Sequence, residues 1–329
     1  MAAANLHVLL TGANGFVGSH VLDHLRRRDL AVAVLLRPGS DRRFISSHLR
    51  TLDVREGSLG NPSSLRNALS GITHVIHCAG SVRSLSRQAF FEANETGTRN
   101  LVDAANECGV NRLVHLSSLA AGGPAIPDRP AAEADAPSPV SNYGHSKLAG
   151  EEAVRNGAKG EWVIIRPPAV YGPRDTEFLR LFRAVKARLL PEVGHGLPLS
   201  LVYAGDLAAT TIAALTSPGL AGRVLYAAHP EIVTAGQFGA CIARRLGVRA
   251  WRIPLPVPLL WSSCLAQEVF ARLTGRPSVL NLQKFAELRA PGWVCEPSPV
   301  WRDIGVECTT GLEEGVEETL AWYLREGWL

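Results

Sequence analysis

Short apolar runs alternate with amphipathic segments through the first half of the chain. Each run has five to seven residues and is mostly apolar, which is typical of strands buried on both faces of a parallel sheet. The runs are LHVLL (6–10), AVAVLLR (31–37), THVIHCA (73–79), RLVHLSS (112–118) and EWVIIRP (161–167). Segments with helical spacing, such as FVGSHVLDHLRRR and EANETGTRNLVDAANECG, separate them. This alternation predicts an α/β fold with a doubly wound parallel sheet.

The pattern changes after Pro167. The chain becomes richer in Pro and Trp and less regular, except for DLAATTIAALTS and RVLYAA, which are typical of one more helix and strand of the main sheet. We therefore predict a larger domain and a smaller α/β domain whose segments are interleaved along the chain. Their predicted bounds are 1–168 plus about 204–230 for the larger domain, and about 169–203 plus 231–329 for the smaller one.

Composition excludes several classes of protein. Of the 329 residues, 46% are hydrophobic and 19% are charged, which is ordinary for a soluble globular protein. The formal net charge of +4 is too small to indicate nucleic-acid binding. The six cysteines form no C-x-x-C pair and have no zinc-ligand spacing, so we expect reduced thiols and no metal site.

The sequence predicts neither a signal peptide nor a membrane span. The amino-terminal MAAANLHVLLTGANG lacks the charged region of a signal peptide, so we expect a cytoplasmic protein. The most membrane-like segment, 253–273, is interrupted by prolines and by polar and charged residues, and falls short of the ~20 apolar residues of a span. We expect it to line a substrate pocket or to form a covering helix, with contact to a membrane surface as the alternative.

A glycine-rich turn follows the first predicted strand. In LLTGANGFVGSH, Gly12 permits a tight turn, Gly15 lets a pyrophosphate approach the backbone, and Gly18 lets the helix pack on the sheet. The helix that follows offers N–H groups and the positive end of its dipole to phosphate. The strand, turn and helix together predict a dinucleotide site and therefore a Rossmann domain.

The end of the second strand bears on the choice of dinucleotide. An acidic residue there would bind the ribose 2′-OH of NAD, but this chain has Arg37, followed by Ser40, Arg42 and Arg43. Arginine suits a 2′-phosphate through charge-assisted bonds. We therefore favour NADP(H) over NAD(H), with Asp41 as the competing acid.

Tyr143 and Lys147 stand four residues apart in SNYGHSKLAGE, so a helix would place them on one face. Such a pair is either an ordinary exposed helical pair or a proton donor with its electrostatic partner. The segments TGANGFVG (11–18), SS (117–118) and YGHSK (143–147) together resemble the extended short-chain dehydrogenase/reductase family, of the NAD-dependent epimerase/dehydratase type. HCAG, NETGTRNLVDAA, RPPAVYGPRD, LVYAGDLA and the final LEEGVEETLAWYLREGWL extend the resemblance over nearly the whole chain.

The resemblance implies catalytic roles. Tyr143 would be the general acid/base, and Lys147 together with the positive nicotinamide would lower its pKa from ~10 towards working pH. Lys147 would also hold the nicotinamide ribose. Ser118, with Ser117 as the alternative, would polarise the substrate oxygen. Asn94 would support the lysine from a neighbouring helix.

The resemblance also implies a set of cofactor contacts. They are Thr11, Gly12, Asn14, Gly15, Phe16, Val17, Gly18, Arg37, Ser58, Leu59, Cys78, Ala79, Gly80, Tyr143, Lys147, Pro167 and Val170. Ala79 and Gly80 would line the ribose and pyrophosphate, and Pro167 and Val170 would flank the nicotinamide. Ser58 is a departure, because the family usually has Asp at this place near the adenine.

Two motifs that are missing from the sequence narrow the class of substrate that we expect. SSLAAGG lacks the Asp-Glu pair of the family's dehydratases, and Leu199 and Ser200 stand where sugar-nucleotide enzymes carry an Arg for the diphosphate. The loop residue His195 is more typical of a surface histidine than of a replacement. Apolar side chains of the second domain would either face an apolar carbonyl substrate or form its core. They are Leu85, Phe178, Leu181, Phe182, Trp251, Leu255, Val257 and Trp261.

We therefore expect an NADP(H)-dependent oxidoreductase that reduces an aldehyde, ketone or β-keto compound, or oxidises the matching alcohol. It resembles the dihydroflavonol-reductase and 3β-hydroxysteroid-dehydrogenase branch of the family. A nucleotide-sugar epimerase with tightly held NAD is the first alternative. A non-catalytic dinucleotide-binding protein is the second, and the retained Tyr and Lys disfavour it. A homodimer paired through helices at 88–108 and 141–157 is implied by the resemblance.

Overall fold

Twelve β-strands are present in the residues that the structure, a computed structural model, describes: 6–193, 196–274 and 282–329. The strands are β1 (His7–Thr11), β2 (Ala31–Leu36), β3 (Asp53–Glu56), β4 (His74–His77), β5 (Arg112–Leu116), β6 (Glu161–Arg166), β7 (Ala169–Tyr171), β8 (Leu189–Val193), β9 (Pro198–Tyr203), β10 (Arg223–Tyr226), β11 (Ile232–Thr234) and β12 (Trp251–Leu255). Seven of them form one parallel sheet in the order β10-β6-β5-β4-β1-β2-β3. This sheet confirms the predicted doubly wound α/β architecture.

Helices cover both faces of the large sheet. The helices are α1 (Phe16–Arg27), α2 (Pro62–Leu69), α3 (Arg87–Phe91), α4 (Gly97–Glu107), α5 (Leu119–Gly122), α6 (Asn142–Gly157), α7 (Phe178–Lys186), α8 (Ala204–Thr216), α9 (Ala235–Leu246), α10 (Val257–Thr274), α11 (Leu282–Leu288), α12 (Val300–Asp303) and α13 (Leu312–Arg325). On one face, Leu22 of α1 packs in a buried cluster with Ile212 of α8. On the other, Leu65 of α2 packs with Leu101 of α4.

The strand order reverses beside β1. This strand pairs with β2 on one side and with β4 on the other, both in parallel. The two connections therefore leave in opposite directions and open a crevice outside the carboxyl ends of β1 and β4, which is where doubly wound folds bind ligands. The glycine turn follows β1 and Ala79 follows β4, so both face this crevice.

The remaining five strands form two small sheets, β11-β9-β7 and β12-β8. Helices α7, α9 and α13 pack around an aromatic core that includes Tyr171, Phe182, Phe238 and Tyr323, all of them buried. The rings of Phe182 and Tyr323 meet edge to face with centroids 5.1 Å apart, a favourable aromatic geometry. Strand β10 belongs to the large sheet and α8 packs against it, whereas β9 and β11 on either side of them belong to a small sheet. The division of the chain into two domains stays a prediction.

Two elements differ from the sequence expectation. β3 is an edge strand of sequence DVRE, which the apolar pattern did not predict because the strand lies at the rim of the sheet and buries little. The single helix predicted for EANETGTRNLVDAANECG is instead interrupted at its start by a π-helical turn, Glu92–Thr96, between α3 and α4. Such turns are frequent at functional sites.

The segment 253–273 forms the end of β12 and most of α10. Pro258 falls in the first turn of α10, where a missing N–H costs nothing, so the prolines precede the helix or start it and do not break it. Within the residues described, no helix is long and apolar enough to cross a membrane.

Candidate active site

The glycine turn is shaped by close backbone approach. Gly12 adopts a left-handed φ of 71°, and a Cβ there would lie 2.7 Å from the backbone nitrogen of Ala79. A Cβ on Gly18 would overlap the carbonyl oxygen of Gly12. Only glycine fits these two positions, so the turn presses β1 against the segment after β4 and packs α1 on both.

The amino end of α1 is suited to phosphate. Gly15 is its N-cap, so no side chain competes for the first N–H groups, and no acidic residue lies in the first turn. The neighbouring Asn14 side chain donates to the carbonyl of Asp41 at 2.9 Å, and Thr11 Oγ1 accepts from the amide of Ala79 at 3.2 Å. Phe16 is half-buried beside this turn. The backbone cradle and the chemistry of its donors therefore fit the pyrophosphate of a dinucleotide.

The three arginines expected near the adenine ribose of the cofactor differ in their contacts. Arg37 is exposed directly after β2. Arg42 instead approaches Glu56 at 3.5 Å, and Arg43 pairs with Asp41 at 2.8 Å. Of the three arginines that favour NADP(H) in the sequence, two are therefore already engaged with carboxylates.

Ser58 and Leu59 use their backbone to fix the loop after β3. The Ser58 amide donates to Ser64 Oγ at 3.1 Å, and the Leu59 carbonyl accepts from Asn100 Nδ2 at 2.8 Å. Both side chains are half-buried, and Leu59 lies against Gly97 at the start of α4. The loop is thereby held beside the second half of the crevice.

Tyr143 and Ser118 meet at the carboxyl edge of the sheet. Ser141 caps α6 by accepting from the Gly144 amide at 3.1 Å, which places Tyr143 in the first turn. Removal of solvent from the phenol raises the pKa of Tyr143 to about 12, and a hydrogen bond with the Ser118 side chain opposes this rise. The sequence argument expected a lowered pKa; in the protein alone the opposite holds.

Lys147 lies one helical turn after Tyr143 and is buried. Its Nζ donates to the Leu116 carbonyl at the end of β5, at 2.6 Å. Burial lowers the pKa of Lys147 to about 8, and the carboxylate of Glu151 and the thiol of Cys78 oppose this lowering. His77 and His115 lie side by side on the neighbouring strands, and burial lowers the pKa of both, that of His77 to about 3, so both stay neutral. Of Lys147, His77 and His115, Lys147 is therefore the group that carries the positive charge.

Ser117 points away from the phenol. Its hydroxyl donates to Glu151 at 2.5 Å, and the same carboxylate receives two bonds from Arg166, at 2.8 and 2.7 Å. Arg166 also donates to Tyr226 Oη at 3.1 Å. Glu151 and Arg166 are both buried, so the ion pair is shielded from solvent. The structure thus brings Ser118, and not Ser117, to Tyr143.

Sequence reasoning missed Glu151 and Arg166. Two signals were present. Glu151 follows Lys147 by four residues on the same face of α6, and Arg166 comes directly after the buried apolar run Val163–Ile165 of its strand. A charge at a buried strand end needs a partner, and the helix face beside it offered one.

Asn94 lies in the π-helical turn and joins two parts of the site. Its side chain accepts from the Ser81 amide at 2.8 Å and donates to the Ser81 carbonyl and to Ser146 Oγ, both at 2.9 Å. A Cβ on Gly80 would lie 2.8 Å from Asn94 Oδ1 and 3.8 Å from Lys147 Nζ. Asn94 therefore ties the segment after β4 to α6, close to the lysine.

The other expected contacts line the same edge. Cys78, Val17 and Val170 are half-buried, and burial raises the pKa of the Cys78 thiol to about 12, so it is no nucleophile. Pro167 is buried, and its carbonyl accepts from the Leu119 amide at 2.8 Å, which fixes the segment that carries Ser118.

The apolar substrate residues expected from the sequence have different environments. Phe182 belongs to the core of the small domain, and Phe178 and Leu181 pack against it. Leu85, Trp251 and Trp261 are exposed, and Leu255 is half-buried. The Val257 side chain and His195 lie outside the described residues.

The place expected to bind a diphosphate in sugar-nucleotide enzymes offers no cation from its own two side chains. Ser200 is buried in β9, where its hydroxyl accepts from the Cys295 amide at 3.0 Å. Leu199 beside it is half-buried. A diphosphate at these two positions would meet apolar and neutral groups.

A wide cleft also opens at the opposite edge of the large sheet. Leu6, His74, Asn106, Arg112 and Glu161 line it, at the amino ends of the strands. The site residues described above lie elsewhere, and ligands of doubly wound folds bind outside the carboxyl ends. We assign no role to this cleft.

The fold and the site define an oxidoreductase of the Rossmann class, with a glycine cradle for a dinucleotide and a Tyr-Lys pair on one helix face. The family model for NAD-dependent epimerases and dehydratases matches residues 8–226. The chain belongs to this family, within the extended short-chain dehydrogenases/reductases, and the resemblance seen in its motifs is confirmed.

Relatives of known name cover most of the chain. It is 32% identical over 325 residues to the ceramide reductase of Caulobacter vibrioides, across 98% of this chain and 96% of that protein. It is 27% identical to the decarboxylating sterol-4-alpha-carboxylate 3-dehydrogenase of Bos taurus, across 74% of this chain and 71% of that protein. The UDP-glucose 4-epimerase of Thermus thermophilus, solved in complex with NAD, has a TM-score of 0.77 at 24% identity over 97% of this chain and 99% of that one, which shows the shared fold.

Proposed function

We propose that this enzyme is an NADP(H)-dependent reductase of a ketone on an apolar, lipid-like substrate, and that it oxidises the matching alcohol in reverse. The observation that carries the proposal is the Tyr143–Ser118 hydrogen bond, with Lys147 buried one turn along the same helix. A proton donor, a polarising hydroxyl and a fixed cation are the three parts that carbonyl reduction requires beside a hydride source.

Three residues of the chain have separate roles in the proposed reduction. A dinucleotide bound at the glycine cradle would supply the hydride. Tyr143, protonated at neutral pH because its pKa is raised, gives its proton to the carbonyl oxygen, and the Ser118 hydroxyl donates to the same oxygen as negative charge develops on it. The charge of Lys147 stabilises the tyrosinate that results, and water at the crevice returns the proton. In the oxidation direction the same proton moves the other way.

The preference for NADP(H) rests on Arg37. This residue is exposed where the second strand ends, at the usual place of the group that binds the 2′ position of the ribose. Its guanidinium suits a phosphate dianion, and the acid that would favour NAD(H) is missing at this position.

The lipid character of the substrate is inferred from two observations. The relative with 32% identity along nearly the whole chain is named a ceramide reductase, and another relative is named for a sterol carboxylate; both names refer to lipids. Leu199 and Ser200 offer no cation for a diphosphate. An apolar substrate avoids the cost of burying an unpaired charge there.

A nucleotide-sugar epimerase is the second candidate. It would use the same Tyr143 and the same fold as the UDP-glucose 4-epimerase of Thermus thermophilus. Stoichiometric NAD in the purified protein, together with interconversion of UDP-sugars, would support it over the reductase.

The test is consumption of NADPH and NADH with three groups of compounds: ketone-bearing ceramides and 3-ketosteroids, short-chain ketones, and UDP-sugars. We expect oxidation of NADPH by a lipid ketone, lost in Tyr143→Phe and kept in Tyr203→Phe, whose hydroxyl contacts Glu318 outside the site. Turnover of UDP-sugars without net NADPH consumption would contradict the proposal.

We also retain the homodimer and the cytoplasmic location as proposals. The first range implied in pairing, 88–108, covers α4, the π-helical turn and most of α3, and the second, 141–157, corresponds to α6. Asp103 on α4 and Glu152 on α6 are exposed. Light scattering on the purified protein would measure its mass directly.

A further inference from the structure

Helix α10 has an inverted arrangement of polar and apolar side chains. With 3.6 residues per turn, five large apolar residues (Leu259, Trp261, Leu265, Phe270 and Leu273) fall on one half of the circumference. Ser263, Cys264, Gln267 and Glu268 fall on the other half. The apolar half faces outward: the apolar side chains, which are Leu259 (55% exposed), Trp261 (46%), Leu265 (37%), Phe270 (67%) and Leu273 (81%), are all exposed. Cys264 is buried, and the three polar residues are half-buried. A surface helix of a water-soluble protein normally shows the reverse.

Strand β12 continues this surface. Trp251 and Ile253 are exposed on it, directly before α10. In the described part of the chain, thirteen large apolar side chains are exposed, and seven of them lie between residues 251 and 273. We call these seven the α10 surface. Scattered apolar residues are ordinary on a protein surface, but a patch of this kind marks a site of interaction.

The sequence that contains the α10 surface has an excess of cations. Between residues 244 and 289 the sequence has eight Arg or Lys residues and only two acids, a net charge of +6, whereas the whole chain has +4. The rest of the protein is therefore net negative. Arg249 and Arg289 lie near the apolar side chains in the sequence and are exposed. Arg252 is exposed too but pairs with Glu192 at 3.0 Å, and Arg244 and Arg245 on α9 pair with Glu313. This asymmetry complements an anionic surface.

We propose that the α10 surface docks the enzyme on a bilayer that contains anionic phospholipids. A helix that lies in the membrane interface buries an apolar face containing Trp and Phe among the headgroups, and cations around it attract anionic lipid. A second copy of the chain is a weaker match, because a two-fold interface would bring two surfaces of the same positive charge together.

Helix α10 is linked to the active site through α11. Helix α11 packs against α10, and the Glu287 carboxylate on α11 contributes to raising the pKa of Tyr143. A lipid ketone could therefore pass from the bilayer to Tyr143 past α10 and α11. This delivery rests on the proposed reductase function, whereas membrane docking does not.

The test is flotation of the full-length protein with vesicles of phosphatidylcholine alone or mixed with phosphatidylglycerol, without substrate. We expect binding to the mixed vesicles that weakens with salt, and a loss of about tenfold in Trp261→Ser/Phe270→Ser, since both anchors are removed. The matched control is Leu324→Ser, an exposed apolar residue on α13, which should bind like the wild type. Thermal unfolding of both variants should match that of the wild type.

Several outcomes would overturn the proposal. They are binding to neither vesicle, equal binding by the Trp261→Ser/Phe270→Ser variant, or a dimer in solution that this variant converts to monomer. A short-chain ketone separates docking from chemistry: the variant should reduce it at the wild-type rate and lose activity only on a lipid ketone held in vesicles. Binding to vesicles without reduction of any ketone would contradict the reductase proposal but would still support membrane docking.

Discussion

The carboxyl edge of the large sheet and the segment 244–289 place their polar and apolar side chains in opposite ways. At the sheet edge, polar and charged side chains are buried and held by partners inside the protein, as the Glu151–Arg166 pair shows. In the segment, large apolar side chains are exposed and cations outnumber acids four to one. The first region is specified by contacts inside the protein. The second is explained by the docking on a bilayer that we propose.

The largest expected effect is on activity at the sheet edge. Tyr143→Phe removes the proton donor and leaves the ring, so we expect ketone reduction to fall by about 10²–10⁴-fold with cofactor affinity and thermal stability unchanged. Single-turnover kinetics with bound NADPH would measure the chemical step. Retention of more than about a tenth of the wild-type rate would mean that another group gives the proton.

The buried ion pair should dominate stability. Glu151→Gln leaves the Arg166 charge buried without its partner, so we expect a loss of about 3–5 kcal/mol in the free energy of unfolding. The matched control is Glu152→Gln, next in sequence and exposed, for which we expect a change within about 0.5 kcal/mol. Urea denaturation of both variants makes the measurement. Equal stabilities would show that Arg166 finds compensation elsewhere.

A pair of leucine truncations compares the two regions directly. Leu22→Ala empties a fully buried position on α1 and should cost about 2–5 kcal/mol, because it leaves a cavity. Leu273→Ala, 81% exposed on α10, should change stability by no more than about 0.5 kcal/mol in the absence of vesicles. A large loss for Leu273→Ala would place this side chain in the core and would contradict an outward-facing α10 surface.

Arg37 should act on one cofactor only. Arg37→Ala removes the charge next to the 2′ position, so we expect the KM for NADPH to rise by about 10–100-fold, as for loss of a charge-assisted hydrogen bond, while the KM for NADH stays the same. Steady-state kinetics with each cofactor would measure the ratio. Equal changes in the KM for NADPH and the KM for NADH would show that Arg37 does not bind the 2′-phosphate.

The smallest expected effect is a pH dependence in the physiological range. Because the pKa of Lys147 is lowered to about 8, its charge is present below that pH and is lost above it, so kcat for ketone reduction should fall above about pH 8. Tyr143 is not the source, since its pKa is about 12. Glu151→Gln should move the fall to lower pH, because that carboxylate raises the pKa of Lys147. A rate that stays constant well above pH 8 would contradict this assignment.

Most of the large sheet was predictable because its strands are short, apolar and separated by turn residues. β3 was not, since an edge strand of sequence DVRE has no apolar pattern to detect. The π-helical turn at Asn94 was also missed, because helical spacing alone does not distinguish one extra residue per turn.

The site was predictable where spacing reports geometry, as for Gly12 or the Tyr143–Lys147 pair. The direction of the Tyr143 pKa shift was not, because burial is a property of the folded chain. The choice between Ser117 and Ser118 depended on which serine contacts Glu151, a residue 34 positions away from Ser117 along the chain. The excess of cations in segment 244–289 was not predicted, because the net charge of the whole chain is only +4.

One measurement tests the central claim most directly: NADPH oxidation by a ketone-bearing ceramide in phosphatidylglycerol-containing vesicles, with wild type, Tyr143→Phe and Tyr203→Phe compared at matched concentration. The account predicts turnover by the wild type and Tyr203→Phe, and none by Tyr143→Phe. Equal turnover by all three proteins, or none by the wild type while UDP-sugars are interconverted, would contradict it.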